Sequence, residues 1–332
     1  MIGAGAIGGR IAAHLATSGC RVRIVDADQE HVAAIRSEGL LLAHPDGAVE
    51  RIPLEAAGPD ECDVHPLTSV ILATKAHRTA AAVAWAAERL ARDGLVLVCQ
   101  NGQGHRRIAD RLGSGRVVPS LINFAADRVA PGIIRLGGQG SFAVGEVDGT
   151  ASPRVARLAE DFAGFPGFRT SANIVGLLWS KAVLGVLLTA TALVDDDMIP
   201  TIERHRGAMA ALAGEVIALA GAARAELEPI DGIDWRATPH AAIDDVLNYL
   251  RTMTGKTRSG VFRDLRAGRV PTEASAELED LLLAASAASL ESPALTALRQ
   301  ALGSIETGSL PLGHTHLAQV ALRAHTSIER RT

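Results

Sequence analysis

Gly3-Ala4-Gly5-Ala6-Ile7-Gly8, followed by an apolar helical stretch to Ser18 and then by Val22-Arg23-Ile24-Val25-Asp26, decides the fold. A glycine-rich turn opens a helix, and a strand ending in a carboxylate comes about 20 residues later, the order of a dinucleotide-binding βαβ unit. Gly3 permits the tight turn, Gly5 lets the backbone approach a pyrophosphate, and Gly8 lets the helix pack close to the strand. The amides at the helix start, around Ala6 and Ile7, face the phosphates. A tight turn without a ligand is the alternative, and the flanking helix and strand weigh against it. Asp26 would accept hydrogen bonds from the adenosine ribose hydroxyls and repel a 2′-phosphate, with Asp28 adding to the repulsion. NAD is therefore expected rather than NADP, although an aspartate there also suits a turn or a helix N-cap. The loop starts at residue 3, which leaves almost nothing for the central strand ahead of it. A few residues are expected to be missing before Met1.

Outward from the loop, strand-like runs at Val22–Asp26, Ser69–Ala73, Leu95–Cys99, Val117–Pro119, Ile133–Leu136 and Ser141–Val144 alternate with amphipathic stretches at Ile11–Ser18, Glu30–Ser37 and Ala80–Ala91. Short continuous apolar runs separated by helices predict a parallel sheet covered on both faces. The pair flanking Gly137–Gly140 reads as a hairpin that ends the sheet in antiparallel strands. After about Ala172 strand signals stop. Helical patterns then run over Val175–Leu193, Pro200–Glu226, His240–Thr252, Ala274–Ser289 and from Pro293 to about Ile305. The fold class is α/β: a doubly wound Rossmann-type domain over 1–171, then an all-helical domain over 172–310. A tail over 311–332 follows, expected to dock as one more helix.

Composition limits the functions. The chain has 332 residues, a formal charge of −4 and 3% aromatics, so the core is expected to be aliphatic and a nucleic-acid surface is disfavoured. Cys20, Cys62 and Cys99 form no CxxC pair and suit buried thiols in a cytoplasmic protein; no metal site is expected. No secretory leader is apparent, and the apolar run Val183–Val194 is short enough to be a buried helix.

Further segments carry a resemblance. They are Ala73-Thr74-Lys75 and Gln100-Asn101-Gly102 at strand ends, Gly145-Glu146, Trp179-Ser180-Lys181, and Phe262-Arg263-Asp264 followed by Arg269 and Thr272-Glu273. In order and spacing the chain resembles the ketopantoate reductase family. The resemblance implies that Lys181 is the general acid for the carbonyl oxygen of a 2-oxo acid, and that Glu273 accepts a hydrogen bond from the substrate hydroxyl. Asn101 and Lys75 would border the nicotinamide end of the cofactor, and Trp179 would pack. Read as residues alone, Lys181 could be an exposed helix lysine, which its apolar flanks Trp179 and Ala182–Leu188 weigh against, Thr272-Glu273 suits a helix start, and Asn101-Gly102 a turn.

The chain departs from the family where substrate is read. The family has asparagines one and two turns after the lysine, and this chain has Gly185 and Thr189. Where the family has a serine, this chain has Gly260 with Ser259 beside it. The hydride machinery is kept and the substrate-reading set is rewritten, with Arg258, Lys256 and His240 as candidate carboxylate clamps or plain surface charge. The expected function is a nicotinamide-dependent oxidoreductase of a 2-oxo or 2-hydroxy acid. The alternatives are an NADPH-dependent 2-dehydropantoate 2-reductase and a non-catalytic NAD(H) sensor. The expected partners are a small-molecule substrate and a second copy in a homodimer, without nucleic acid or membrane.

Overall fold

The computed structural model describes residues 1–253 and 257–329. The chain divides into two compact units, Met1–Ile174 and Val175–Thr332.

In chain order the first unit contains α1 (Ala6–Thr17), β1 (Arg23–Val25), α2 (Gln29–Glu38), β2 (Leu40–Ala43), β3 (Val49–Ile52), β4 (Glu55–Ala57), β5 (Leu67–Leu72), α3 (Thr79–Arg89), β6 (Leu90–Val98), α4 (Gly104–Leu112), β7 (Val117–Ile122), β8 (Ala126–Ala130), β9 (Ile133–Leu136), β10 (Phe142–Val144), α5 (Pro153–Asp161) and β11 (Phe168–Thr170). Strands β5, β6 and β7 are parallel neighbours; the apolar runs that predicted β6 and β7 are buried, and in β5 Val70 and Leu72 are. β10 then joins β7 antiparallel, and β11 joins β10. On the other side of β5, Ile2 bridges Leu72 and Val25 at once, and β1 continues to β4 in parallel. The central position is thus held by Met1–Gly3. Ile2 N donates to the Ile71 carbonyl at 2.8 Å, and Val25 N donates to the Met1 carbonyl at 2.8 Å.

The predicted hairpin around Gly137–Gly140 does not form. β9 lies in a separate sheet of order β3-β2-β9-β8, while β10 belongs to the main sheet. The glycines serve close backbone approach instead. A β-carbon on Gly140 would stand 2.3 Å from the Asn123 carbonyl oxygen, and one on Gly137 would stand 2.7 Å from Cβ of Ala125. The core is largely aliphatic, as expected, with one aromatic cluster in the first unit. Five of the six phenylalanines (Phe124, Phe142, Phe162, Phe165 and Phe168) pack in one cluster. Arg10 of α1 lies over it, with its guanidinium 4.5 Å from the Phe124 ring centre and Nη1 donating to the Ala125 carbonyl. That contact fixes the helix that opens at the glycine loop.

The second unit contains α6 (Ile174–Thr191), α7 (Met198–Arg204), α8 (Arg206–Ala222), α9 (Pro239–Thr252), α10 (Gly260–Arg266), α11 (Glu273–Ala287), α12 (Pro293–Glu306) and α13 (Thr315–Glu329). The single helix expected over 200–226 is two, broken at His205, whose backbone leaves the helical region at φ −115°, ψ 33°. Pro239 and Pro293 sit in the first turns of α9 and α12, where a missing amide costs nothing. The tail docks through Leu317 and Val320, both fully buried, with α13 packed on α8 and α12. Helix α6 is long and apolar enough by composition to cross a bilayer, yet 72% of it is buried in protein. It is the core helix of its unit.

Candidate functional site

The glycine loop has the shape that a dinucleotide needs. Gly3 takes φ +84°, where its missing β-carbon would press on the Ala73 carbonyl at 3.0 Å. A β-carbon on Gly8 would stand 2.0 Å from the Gly3 carbonyl oxygen, so helix and turn can approach only with glycine there. Gly5, the N-cap of α1, has nothing within 4 Å of its would-be β-carbon, so the backbone on that side is open to a phosphate. No side chain caps this helix, and its first turn carries no acidic residue to compete with one. The loop therefore fits a pyrophosphate held by the amides around Ala6 and Ile7.

Ala4 is the fixed point of the loop. Its N–H donates to Oδ2 of Asp26 at 2.7 Å, and its carbonyl accepts from Nε2 of His31 at 2.8 Å. His31 is fully buried, and its Nδ1 accepts from the Gly132 amide at 2.8 Å. That second bond places the ring proton on Nε2, so a neutral imidazole joins the glycine loop to the turn before β9. Sequence reasoning missed His31, because a histidine in the first turn of α2 gives no sign of which backbone groups it meets.

Asp26 is half-buried at the end of β1, with Oδ1 accepting from the Asp28 amide at 2.9 Å. The N-cap is Asp28, which accepts from the His31 amide and pairs with Arg128 at 2.7 Å. Partial burial raises the Asp28 carboxyl, but the His31 amide and the Arg128 guanidinium outweigh it and hold the group below its ordinary value. The cation beside this turn is thus committed to a carboxylate.

Lys75 and Asn101 lie on neighbouring loops at the carboxyl ends of β5 and β6, both exposed. Gln100 holds these loops together, since its Nε2 donates to the Thr74 carbonyl at 2.6 Å and to Oγ1 of Thr79 at 2.7 Å. Ligands of doubly wound sheets bind at this edge.

In the second unit, α6 carries Lys181, Gly185 and Thr189 at intervals of four, so they line one face. Lys181 and Gly185 are partly accessible on a helix that is otherwise nearly all buried; Thr189 is buried. Trp179 is buried as a packing residue, and Oγ of Ser180 donates to the Glu228 carbonyl at 2.7 Å. Glu273 opens α11, and Glu277 follows one turn later. Oε2 of Glu277 is 3.7 Å from where a β-carbon on Gly185 would be. Burial pushes the Glu277 carboxyl up to about 8; the charge of Glu273 adds to the rise, Lys181 opposes it, and Asp280 adds again. Lys181, Gly185, Glu273 and Glu277 therefore converge on one place. Glu277 was not foreseen, and the only sequence signal was a second glutamate four residues after the first.

The start of α11 is held from outside. Oε1 of Glu306, at the end of α12, accepts from the Thr272 amide at 2.7 Å and the Thr272 hydroxyl at 2.8 Å. Its Oε2 accepts from the Ser275 hydroxyl at 2.7 Å. Thr272 stands at the N-cap position, but its hydroxyl goes to Glu306 rather than to its own helix. Ser259 is buried and caps α10 by accepting from the Phe262 amide at 3.2 Å, while Gly260 faces open space. Arg258 is ion-paired to Asp197 at 2.9 Å and Asp195 at 3.3 Å and lies over the Phe262 ring, so it holds two chain segments together. His240 is exposed at the start of α9, and Lys256 lies outside the described residues. Among the described residues, no group of three or more His, Cys, Asp or Glu side chains could hold a metal.

With this geometry in place, the comparisons with known proteins are direct. Residues 1–149 match the family model described as ketopantoate reductase PanE/ApbA, and residues 173–306 match the C-terminal model of the same family. The chain belongs to the ketopantoate reductase family. A 2-dehydropantoate 2-reductase of Halobacterium salinarum is 29% identical over 59% of this chain and 65% of the relative. One from Mesorhizobium japonicum is 34% identical over 48% of this chain and 55% of the relative. The matches thus span under two-thirds of the curated relatives' length. A PanE/ApbA family ketopantoate reductase from Ralstonia eutropha has a similar structure at TM-score 0.77 and 26% identity, covering 92% of this chain and 98% of that one. A D-mandelate dehydrogenase solved with NADH and anilino(oxo)acetate superposes at TM-score 0.79 and 21% identity, with the same coverage. At that identity the likeness concerns the fold, a ketopantoate reductase-type sheet domain followed by a helical one.

Proposed function

We propose that this member of the ketopantoate reductase family is an enzyme that interconverts a 2-oxo acid and a 2-hydroxy acid with a nicotinamide dinucleotide, NAD in preference to NADP. The observation that carries the reading is that Lys181 of α6 and Glu273 of α11 both act on the Glu277 carboxyl, which lies 3.7 Å from where a β-carbon on Gly185 would be, in a chain whose first unit carries a glycine loop shaped for a pyrophosphate. Bound nicotinamide supplies or accepts the hydride. Lys181 holds a proton for the carbonyl oxygen, which becomes an alkoxide as carbon is reduced, and an ammonium stabilises that developing charge. Glu273 accepts a hydrogen bond from the hydroxyl and orients it. The carboxylates of Asp26 and Asp28, with Arg128 already taken by Asp28, favour a cofactor without a 2′-phosphate.

The named relatives favour 2-dehydropantoate as substrate, whereas Gly185, Thr189 and Gly260 favour a different acid. A sensor that only binds NAD(H) would have no use for Lys181 and Glu273. Fluorescence titration with NADH and NADPH, followed by a panel of 2-oxo acids, separates these readings. Tighter NADH binding with oxidation by at least one acid is expected. Binding without oxidation across the panel would make the chain a sensor, and efficient NADPH-dependent turnover of 2-dehydropantoate alone would return it to the biosynthetic reductase.

A further inference from the structure

Glu277 has no part in the chemistry assigned to Lys181 and Glu273, yet it shares their space. On α6, Lys181 and Gly185 are one turn apart, about 6 Å along the axis, and form part of the accessible stripe of a buried helix. On α11, Glu273 and Glu277 repeat that spacing. The charges of Lys181, one turn before Gly185, and of Glu273, one turn before Glu277, both act on the Glu277 carboxyl. Gly185 has no side chain, and the Glu277 carboxyl is 3.7 Å from its missing β-carbon. Because residue 185 is glycine, α6 offers no polar group there, and Glu277 supplies the polar atoms at that position.

We propose that Glu277 is the specificity-determining residue of the site, donating a hydrogen bond from its carboxyl to an uncharged hydroxyl on the side chain of the 2-oxo acid. The inference rests on the proposed role of Lys181. With the keto oxygen at Lys181, a side chain two or three carbons long running along α6 reaches the level of Gly185. The groups acting on Glu277 are Glu273 and Asp280 on its own helix and Lys181 on α6. From α12, Arg299 faces Glu279 and Glu306 is spent on Thr272 and Ser275, while Glu215 of α8 is taken by the Ala294 and Leu295 amides. Burial pushes the Glu277 carboxyl up to about 8, with Glu273 and Asp280 adding to the rise and Lys181 opposing it, so at neutral pH it is a donor. A neutral carboxylic acid in an enclosed site is a strong hydrogen-bond donor. A second carboxylate on the substrate would meet Glu273 and Asp280 and be repelled.

The test compares two acids that differ by one hydroxyl, 2-dehydropantoate and 3,3-dimethyl-2-oxobutanoate, by their KM ratio with NADH. Lys181 acts on both alike, so the ratio isolates Glu277. The wild type should prefer the hydroxylated acid, and Glu277→Leu should lose about tenfold of that preference, the worth of one unmatched hydrogen bond. Glu277→Gln keeps a neutral donor of the same shape and should retain the preference. In the wild type the preference should fall as pH rises through about 8, because the ionised carboxyl no longer donates, and in Glu277→Gln it should not change. A preference untouched by Glu277→Leu and flat with pH overturns the inference and leaves the reaction intact. A preference that grows above pH 8 overturns it too, because Glu277 would then act as an anion. If neither acid is bound or reduced, the proposed reaction fails for these acids and this inference fails with it. Infrared difference spectra of wild type and Glu277→Gln near neutral pH give a substrate-free readout. Absence of a protonated-carboxyl band assigned to Glu277 overturns the proposal regardless of turnover.

Discussion

Replacing Glu277 by glutamine should change how the stability of the chain depends on pH, and the structure sets the size of the change. A free glutamate releases its proton near 4.5, and folding moves that release up to about 8. Between those values the unfolded chain binds fewer protons at this site than the folded chain, so stability falls as pH rises. This is the reverse of a salt-bridged carboxylate, because here the folded pKa is raised. Each pH unit costs about 1.4 kcal/mol, so by neutral pH the loss reaches roughly 3 kcal/mol at most. A glutamine cannot ionise and should show none of it. Urea unfolding of both proteins at several values from about pH 5 to about pH 8 reads the difference. The variant should gain on the wild type steadily as pH rises, by about 1–3 kcal/mol across the range. Parallel stability–pH curves would show that Glu277 is ordinarily ionised, and would refute the enclosure argued from Gly185 and Glu273.

Gly8→Ala should abolish nucleotide binding and destabilise the first unit by at least about 2 kcal/mol, since its β-carbon would lie 2.0 Å from a backbone oxygen that cannot move aside; NADH titration and thermal melts check both effects. Asp26→Asn removes the charge and leaves one of the two backbone amides that Asp26 accepts from facing an NH2 group, so both dinucleotides should bind more weakly while the NADH-over-NADPH preference narrows about tenfold in paired titrations. Glu306→Ala leaves the Thr272 amide and two hydroxyls without their acceptor. It should cost about 1–3 kcal/mol, a drop of several degrees in Tm, and should lower kcat by freeing Glu273 at the first turn of α11.

The parts of this molecule that sequence reveals are those set by local rules. The glycine loop was readable because backbone approach permits only glycine at Gly3 and Gly8. Strands β6 and β7 were readable because a strand buried on both faces must be almost continuously apolar, and β5 from its apolar end Val70–Leu72. Of the second sheet only β9 was readable; β2, β3 and β8 escaped, and β3 (Val49–Ile52) and β8 (Ala126–Ala130) are short and largely exposed. Their pairing is long-range, β2 taking β9 from far along the chain. Gly137–Gly140 misled for the same reason, because glycine marks close approach as readily as a turn. In the site, Lys181 and Glu273 came from a family resemblance. His31, Arg128, Glu277 and Glu306 had no local signal, and each acquires its role only from the backbone or charge that the fold brings against it.

The central claim is that Lys181 supplies the proton in a nicotinamide-dependent reduction. It is tested most directly by Lys181→Ala, measured for NADH binding by fluorescence and for turnover of a 2-oxo acid that the wild type reduces. The account predicts NADH affinity within about threefold of wild type, because the glycine loop is untouched, and a fall in kcat of at least about a hundredfold. Turnover at the wild-type rate would contradict it.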